Sequence, residues 1–175
     1  MANREALKEL QTRLAQRLQA AKAEGVAVSS WLAVEAGGRR WLLPLAQAGE
    51  IFPWAGVQPV PYTQPWFLGV ANLRGALCGV ADLGLLLGGA PLRTEQALSE
   101  ASVVSLAALL EFNAGLLVQR LAGLRSADAF VSHEPAQPDD PPYLGAIYLD
   151  AQGQRWQALD LQALVGHPVF LSISS

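Results

Sequence analysis

The sequence predicts an all-β protein, a barrel or sandwich of short strands behind one leading helix. Three observations predict it. Short apolar runs recur from Ser29 to Leu159, each bounded by glycine or proline, which is the texture of many short strands joined by turns. Gly37-Gly38 separates SSWLAVEA (Ser29–Ala36) from RRWLLPLA (Arg39–Ala46), and a tight hairpin turn needs residues that tolerate positive φ. Pro53, Pro59, Pro61 and Pro65 crowd one connection; proline removes a backbone donor and excludes a helix there.

The elements follow in order. Ala2–Glu24 reads as a helix, because Leu7, Leu10, Leu14 and Leu18 recur at steps of three or four and draw one apolar stripe. Arg4, Glu5, Lys8, Glu9, Arg13 and Arg17 fill its other faces, and Gly25 stands where a helix would end. The stripe either packs on its own domain or docks a partner. The Gly37-Gly38 hairpin comes next, then the proline-rich loop. Phe67–Leu83 reads as strand–turn–strand, and Gly84–Gly89 as a short helical turn. Pro91–Ser99 is polar and reads as an exposed loop. Ser102–Leu109 and Phe112–Leu121 read as a second hairpin, Val131–Pro142 as a solvated loop, and Tyr143–Leu149 with Arg155–Leu159 as a last hairpin around Ala151-Gln152-Gly153. Asp160 is placed to cap a short helix through Val165.

Composition narrows the function. A chain of 175 residues is one ordinary domain, or two small subdomains sharing a core. It is 51% hydrophobic and 15% charged, a folding composition. The net charge is −3 and no basic block exists, which argues against nucleic acid as a partner. The single cysteine, Cys78, excludes an internal disulfide and fits a reducing compartment. MANREALKELQTRL is too charged for a secretory apolar core. The longest apolar stretch, Val103–Val118, is broken by Ser105, Glu111, Asn113 and Gly115; it reads as two strands, so no direct membrane insertion is expected.

Reactive clusters are missing from the sequence. His133 and His167 lie beside loop prolines, away from any cysteine or carboxylate at metal-ligand spacing. Cys78 sits in an apolar strand, where a thiol behaves as a small hydrophobe. Gly84–Ala90 is glycine-rich but has neither the lysine nor the strand–helix setting of a phosphate loop. Asp82 and Asp160 each precede a leucine at a strand end, a turn or cap position. The reading is a binding module: not an enzyme, with no metal and no cofactor.

One stretch is harder to place. FLGVANLRGALCGVADL (Phe67–Leu83) sets Arg74 in an apolar run with Gly69, Gly75 and Gly79. A guanidinium is costly to bury unpaired, so Arg74 either finds a partner within the fold or stands at a surface another molecule covers. Gly75 would permit a tight turn, and Gly69 a bend where the strand begins. The motif Gly69-Val70-Ala71-Asn72-Leu73-Arg74-Gly75, followed by Asp82-Leu83, resembles the CheW-like domain, the adaptor of bacterial chemosensory arrays. Trp31–Ile51 resembles that family's first hairpin, Ser102–Leu124 its central one and Tyr143–Val165 its closing one, so the likeness covers Val28 to Val165. Within the family the chain is most similar to the kind that serves type IV pili and twitching motility, on its leading helix, Tyr143-Leu144-Gly145 with Trp156, and the ending HPVFLSIS. The chain departs from the pattern in places: Gly79 stands where proline is usual, Gln119 where the family carries aspartate, and Ala46 and Ala48 where larger apolar residues are common.

The resemblance implies two SH3-like five-stranded barrels as the fold. It divides the chain into an N-terminal helix (1–26), the domain proper (27–167) and a C-terminal tail (168–175). It implies a non-catalytic adaptor between the cytoplasmic tip of a methyl-accepting chemoreceptor and the regulatory domain of a CheA-like histidine kinase, acting in the cytoplasm and recruited to membrane-bound arrays through those partners. It also implies a receptor- and kinase-binding groove in which Arg74 lies beside Glu50, with Leu45, Ala48, Val70, Asn72, Leu73 and Gly75 around them. A small-molecule-binding β-barrel regulator, or an adaptor serving flagellar chemotaxis, remains the alternative.

Overall fold

The computed structural model describes residues 2–23, 30–92 and 94–175. It is mostly β. A leading helix, α1 (Ala2–Ala23), precedes two sheets; the helix end expected at Gly25 lies outside the described residues. The first sheet holds β1 (Ser30–Ala36), β2 (Arg39–Pro44), β8 (Arg120–Ser126), β9 (Phe130–Glu134), β10 (Leu144–Asp150) and β11 (Arg155–Leu159), in the order β8-β1-β2-β11-β10-β9. The second holds β3 (Ala48–Pro53), β4 (Phe67–Leu73), β5 (Ala76–Asp82), β6 (Ser102–Leu106) and β7 (Ala114–Val118), in the order β3-β6-β7-β5-β4. The second sheet is thus one continuous segment inserted between β2 and β8 of the first. Most neighbours are antiparallel; β2–β11 and β5–β7 are parallel.

The alternation of side chains along each strand builds three cores. Leu32, Val34 and Ala36 of β1, Trp41 and Leu43 of β2, Val104 and Leu106 of β6, and Leu116 and Val118 of β7 all enter one core shared by both sheets. The intervening residues point the other way. Ala33, Leu42 and Trp156 form a core on the far face of the first sheet, and Val80, Val103 and Leu117 form one on the far face of the second. Strands buried on both faces read as unbroken apolar runs, and β7 is buried at every residue.

The hairpins form where expected. Gly37 and Gly38 have φ of +62° and +80° at the β1–β2 turn. Asp82 Oδ1 accepts the Leu85 N–H at 3.1 Å and caps α2 (Leu83–Leu86). Asp160 Oδ1 accepts from Ala163 at 3.2 Å and caps α4 (Leu161–Val165).

Other segments differ from the expectation. The expected loop at Pro91–Ser99 contains α3 (Glu95–Glu100), capped by Thr94 Oγ1 on the Ala97 N–H at 3.0 Å. Its helix buries no side chain, so it carries no apolar stripe to read. Phe112–Leu121 divides between sheets: β7 pairs with β6, while β8 leaves for β1. Val131–Pro142 begins with strand β9, whose Val131 to Glu134 are exposed, hiding its pairing with β10. The sheets therefore have six and five strands rather than five each. No pairing joins β8 to β9 or β3 to β4, so neither closes through hydrogen bonds among the described residues. Residues 168–175 form α5 (Pro168–Leu171) and a bridge from Ser174 to Thr63, with Phe170 buried against Trp66 and Phe112.

The α1 stripe is rotated from the one the leucines suggest. Leu14 and Leu18 are buried, but Leu10 is 45% exposed and Gln11 takes its place. Gln11 Nε2 donates to Ser102 Oγ at 2.6 Å within the interface. The helix packs chiefly on β3 and also on β8, the edge strands of the two sheets, and the seam it covers runs along Leu7, Gln11, Leu14 and Leu18.

Candidate functional site: the Arg74–Glu50 groove

The site begins with a turn. Leu73 pairs with Ala76, leaving Arg74 and Gly75 as a two-residue loop with φ of +51° and +82°. Two consecutive positive φ values make the type I′ turn, whose twist suits a hairpin. Glycine adopts this at little cost, whereas arginine does so against its own Cβ. Asn72 Oδ1 accepts the Gly75 N–H at 2.7 Å and fixes the loop. At the other end of the strand Gly69 has φ +143°, and a Cβ there would meet the Gln58 carbonyl. Gln58 and Val70 exchange backbone hydrogen bonds of 2.8 and 2.9 Å, so the proline-rich loop seals this edge of the sheet.

The partner of Arg74 comes from the opposite edge. Ala48 pairs with Leu106 and Ile51 with Val104, so β3 carries one residue more than β6 between them. This is a bulge, which re-aims the side chains it contains. Ser105 Oγ fills it, accepting the Glu50 N–H at 2.7 Å; a Cβ on Gly49 would collide with that hydroxyl. Glu50 is thereby turned outward, and its Oε2 lies 3.0 Å from Arg74 Nη2. The glutamate side chain is 30% exposed and the arginine 75%. The ion pair is a surface one spanning the two edge regions of a curled sheet, and the guanidinium keeps most of its area open to a further partner.

Three depressions meet near this pair. One, of about 680 Å³, lies between α1 and β3 and is lined by Lys8, Thr12, Ala15, Gln16, Gln19, Glu50–Pro53 and Arg74. A second, of about 390 Å³, lies on the side of Cys78, Ser105 and Phe112, again with Glu50, Leu73 and Arg74. A third, of about 430 Å³, is lined by Val70, Asn72 and Leu73 with Trp54 and Val57. The expected groove residues thus separate. Glu50, Leu73 and Arg74 come together; Val70 and Asn72 face the neighbouring depression; Gly75 shapes the turn. Leu45 and Ala48 do not line the surface: they are 4% and 0% exposed in the shared core, Leu45 in the turn after β2 and Ala48 at the start of β3. Gly49, Ser105 and the α1 residues were not foreseeable. The bulge has no local motif stronger than Gly-Glu, and nothing in the helix sequence separates groove-facing polar residues from solvated ones.

The remaining reactive groups are engaged structurally. Burial pushes the Cys78 thiol up from its ordinary value, which disfavours the thiolate. His167 Nδ1 accepts the Val169 N–H at 3.1 Å and caps α5, and His133 stacks on Tyr148. Among the described residues, no three His, Cys, Asp or Glu gather as a metal would require, and no helix is long and apolar enough to cross a membrane.

Comparison with known proteins places this geometry. The model of the CheW-like domain matches residues 30–169. The chain is 28% identical over 159 residues to Protein PilI of Pseudomonas aeruginosa, covering 87% of this chain and 85% of that protein. The fold is similar to the crystal structure of the scaffolding protein TtCheW from Thermoanaerobacter tengcongensis, with a TM-score of 0.63 at 16% identity, over 82% of this chain and 96% of that one. With the family's domain matched across the strands of both sheets, the chain belongs to the CheW-like domain family.

Proposed function

We propose that this protein is a non-catalytic adaptor that couples the cytoplasmic tip of a methyl-accepting chemoreceptor to the regulatory domain of a CheA-like histidine kinase, in a pathway controlling type IV pili and twitching motility. The observation that carries the reading is the family match across residues 30–169; the similarity to PilI supports the pilus output. In this reading each sheet, curled about its own small core, is one of the family's two SH3-like barrels. The Arg74–Glu50 groove, with Leu73 and the neighbouring Val70 and Asn72, receives a partner. The adaptor works in the cytoplasm and reaches the membrane only through the receptor.

The physical work is coupling. A body that binds both partners favours the kinase states compatible with the receptor's state, by its difference in affinity for them. Each contact is modest, and repetition in an array raises the effective concentration of the next. The test is a calorimetric titration of the full chain with a soluble fragment of the receptor tip and with the isolated kinase regulatory domain. Both are expected to bind without added ligand. Arg74→Ala is expected to weaken tip binding by about tenfold, ~1.4 kcal/mol, with an unchanged circular dichroism spectrum. Equal affinity of the variant would argue against the groove. Binding to neither fragment, with a thermal shift on adding a small metabolite, would point instead to a ligand-sensing regulator.

A further inference from the structure

We propose that α1, which lies outside the segment matched by the family, forms one wall of the docking groove and recognises an acidic amphipathic helix of the partner. The proposal rests on the adaptor reading and deepens it. The helix is not merely a packed extension. At 100° per residue the seam of half-buried Leu7 with buried Gln11, Leu14 and Leu18 occupies one face, and Ala15, Lys8, Gln19, Thr12 and Gln16 form the adjoining one. Those five line the depression of about 680 Å³ together with Glu50, Ile51, Phe52, Pro53 and Arg74. The wall runs from Lys8 to Gln19, roughly three helical turns at 1.5 Å per residue.

Shape and charge select the occupant. A trough with a helix on one side and a strand on its floor matches the cylinder of a second helix, and the short side chains of Thr12 and Ala15 at mid-wall let two helices approach closely. Ile51, Phe52 and Pro53 give the floor an apolar character that suits the nonpolar stripe of such a helix. Lys8 and Arg74 stand at the rim, and among the described lining residues Glu50 is the one carboxylate, already paired to Arg74. The groove therefore favours carboxylates flanking that stripe. The Gln11–Ser102 hydrogen bond and the buried Leu14 and Leu18 hold the wall in place before any partner arrives, which reduces the ordering cost of binding.

The test uses the full chain and the receptor-tip fragment. Lys8→Glu reverses a rim charge and Thr12→Trp fills the trough; Arg17→Glu makes the same charge change on an exposed position away from the groove. Lys8→Glu and Thr12→Trp are each expected to lower tip affinity by about fivefold or more, and Arg17→Glu to leave it within about twofold. Helical signal and unfolding midpoint are expected to match the parent in all three. If Lys8→Glu and Thr12→Trp bind like the parent while Arg74→Ala is weakened, α1 is no part of the groove and the adaptor reading survives. Equal weakening by Arg17→Glu would reduce the effect to net charge and overturn the proposal as well. If the parent chain fails to bind the fragment at all, both readings fall.

Discussion

Arg74 answers to two demands that pull apart. Its backbone holds φ +51°, a state that a Cβ disfavours by about 1 kcal/mol or more, while its guanidinium reaches Glu50 at 3.0 Å. An ion pair this exposed contributes between about 0 and 1 kcal/mol. Arg74→Gly should therefore leave the urea midpoint unchanged or slightly raised and still reduce tip binding; a clear loss of stability would mean that the pair holds the fold together. Gly75→Val forces a β-branched residue to φ +82° and should destabilise by about 1 kcal/mol or more. Asp150 presents the opposite case, a charge that is 2% exposed. Burial pushes its carboxyl up, but the hydrogen bond from Trp156 Nε1, those from the Gln154 and Gln152 N–H groups, and Arg125 nearby outweigh it, so the group titrates below its ordinary value. The folded state thus prefers the ionised form. That stabilisation is complete above the unfolded-chain value of about 4 and is lost as the pH falls through the depressed one. Urea midpoints from pH 6 downward should show an acid decline that Asp150→Asn flattens. The turn glycines and the two N-capping aspartates were legible because each answers a local backbone need. The Arg74–Glu50 contact was legible only by resemblance, since a bulge and the curl of a whole sheet bring the two together.

Among the elements, hairpins announced themselves best. Gly37-Gly38 and Arg74-Gly75 place a chain reversal at two adjacent positions, and the strands beside them alternate into separate cores. Segments with no buried stripe did not: α3 has no fully buried side chain, with Leu98 half-buried, and β9 is an exposed edge, so hydrophobic pattern had little to report. For α1 the periodicity was right but its phase was shifted, because Gln11 satisfies a buried hydroxyl that a leucine could not. Two variants test that phase. Leu18→Ala should lose about 2–4 kcal/mol by opening a cavity, whereas Leu10→Ala, at a half-open position, should lose far less. Equal losses in thermal unfolding would contradict the placement of the helix.

As a whole molecule the two sheets share their largest core, beside the small one each keeps on its far face. Leu32, Val34 and Leu43 from one and Val104, Leu116 and Val118 from the other share a single core, so the protein should unfold in one cooperative step. Labelling of the buried Cys78 thiol should follow the same denaturant curve as the far-ultraviolet signal; an earlier transition in the thiol would show that the second sheet opens alone. The order of the strands has a consequence for biosynthesis. When β1 and β2 leave the ribosome, β1 lacks its outer neighbour, because Ser30 must wait for Ser126; the parallel strand β11 comes later still. All five strands of the inserted sheet are translated in that interval and need only one another to pair. Nascent chains should therefore acquire structure from the middle outward, leaving the N-terminal hairpin half-clothed and in need of protection until translation is nearly finished.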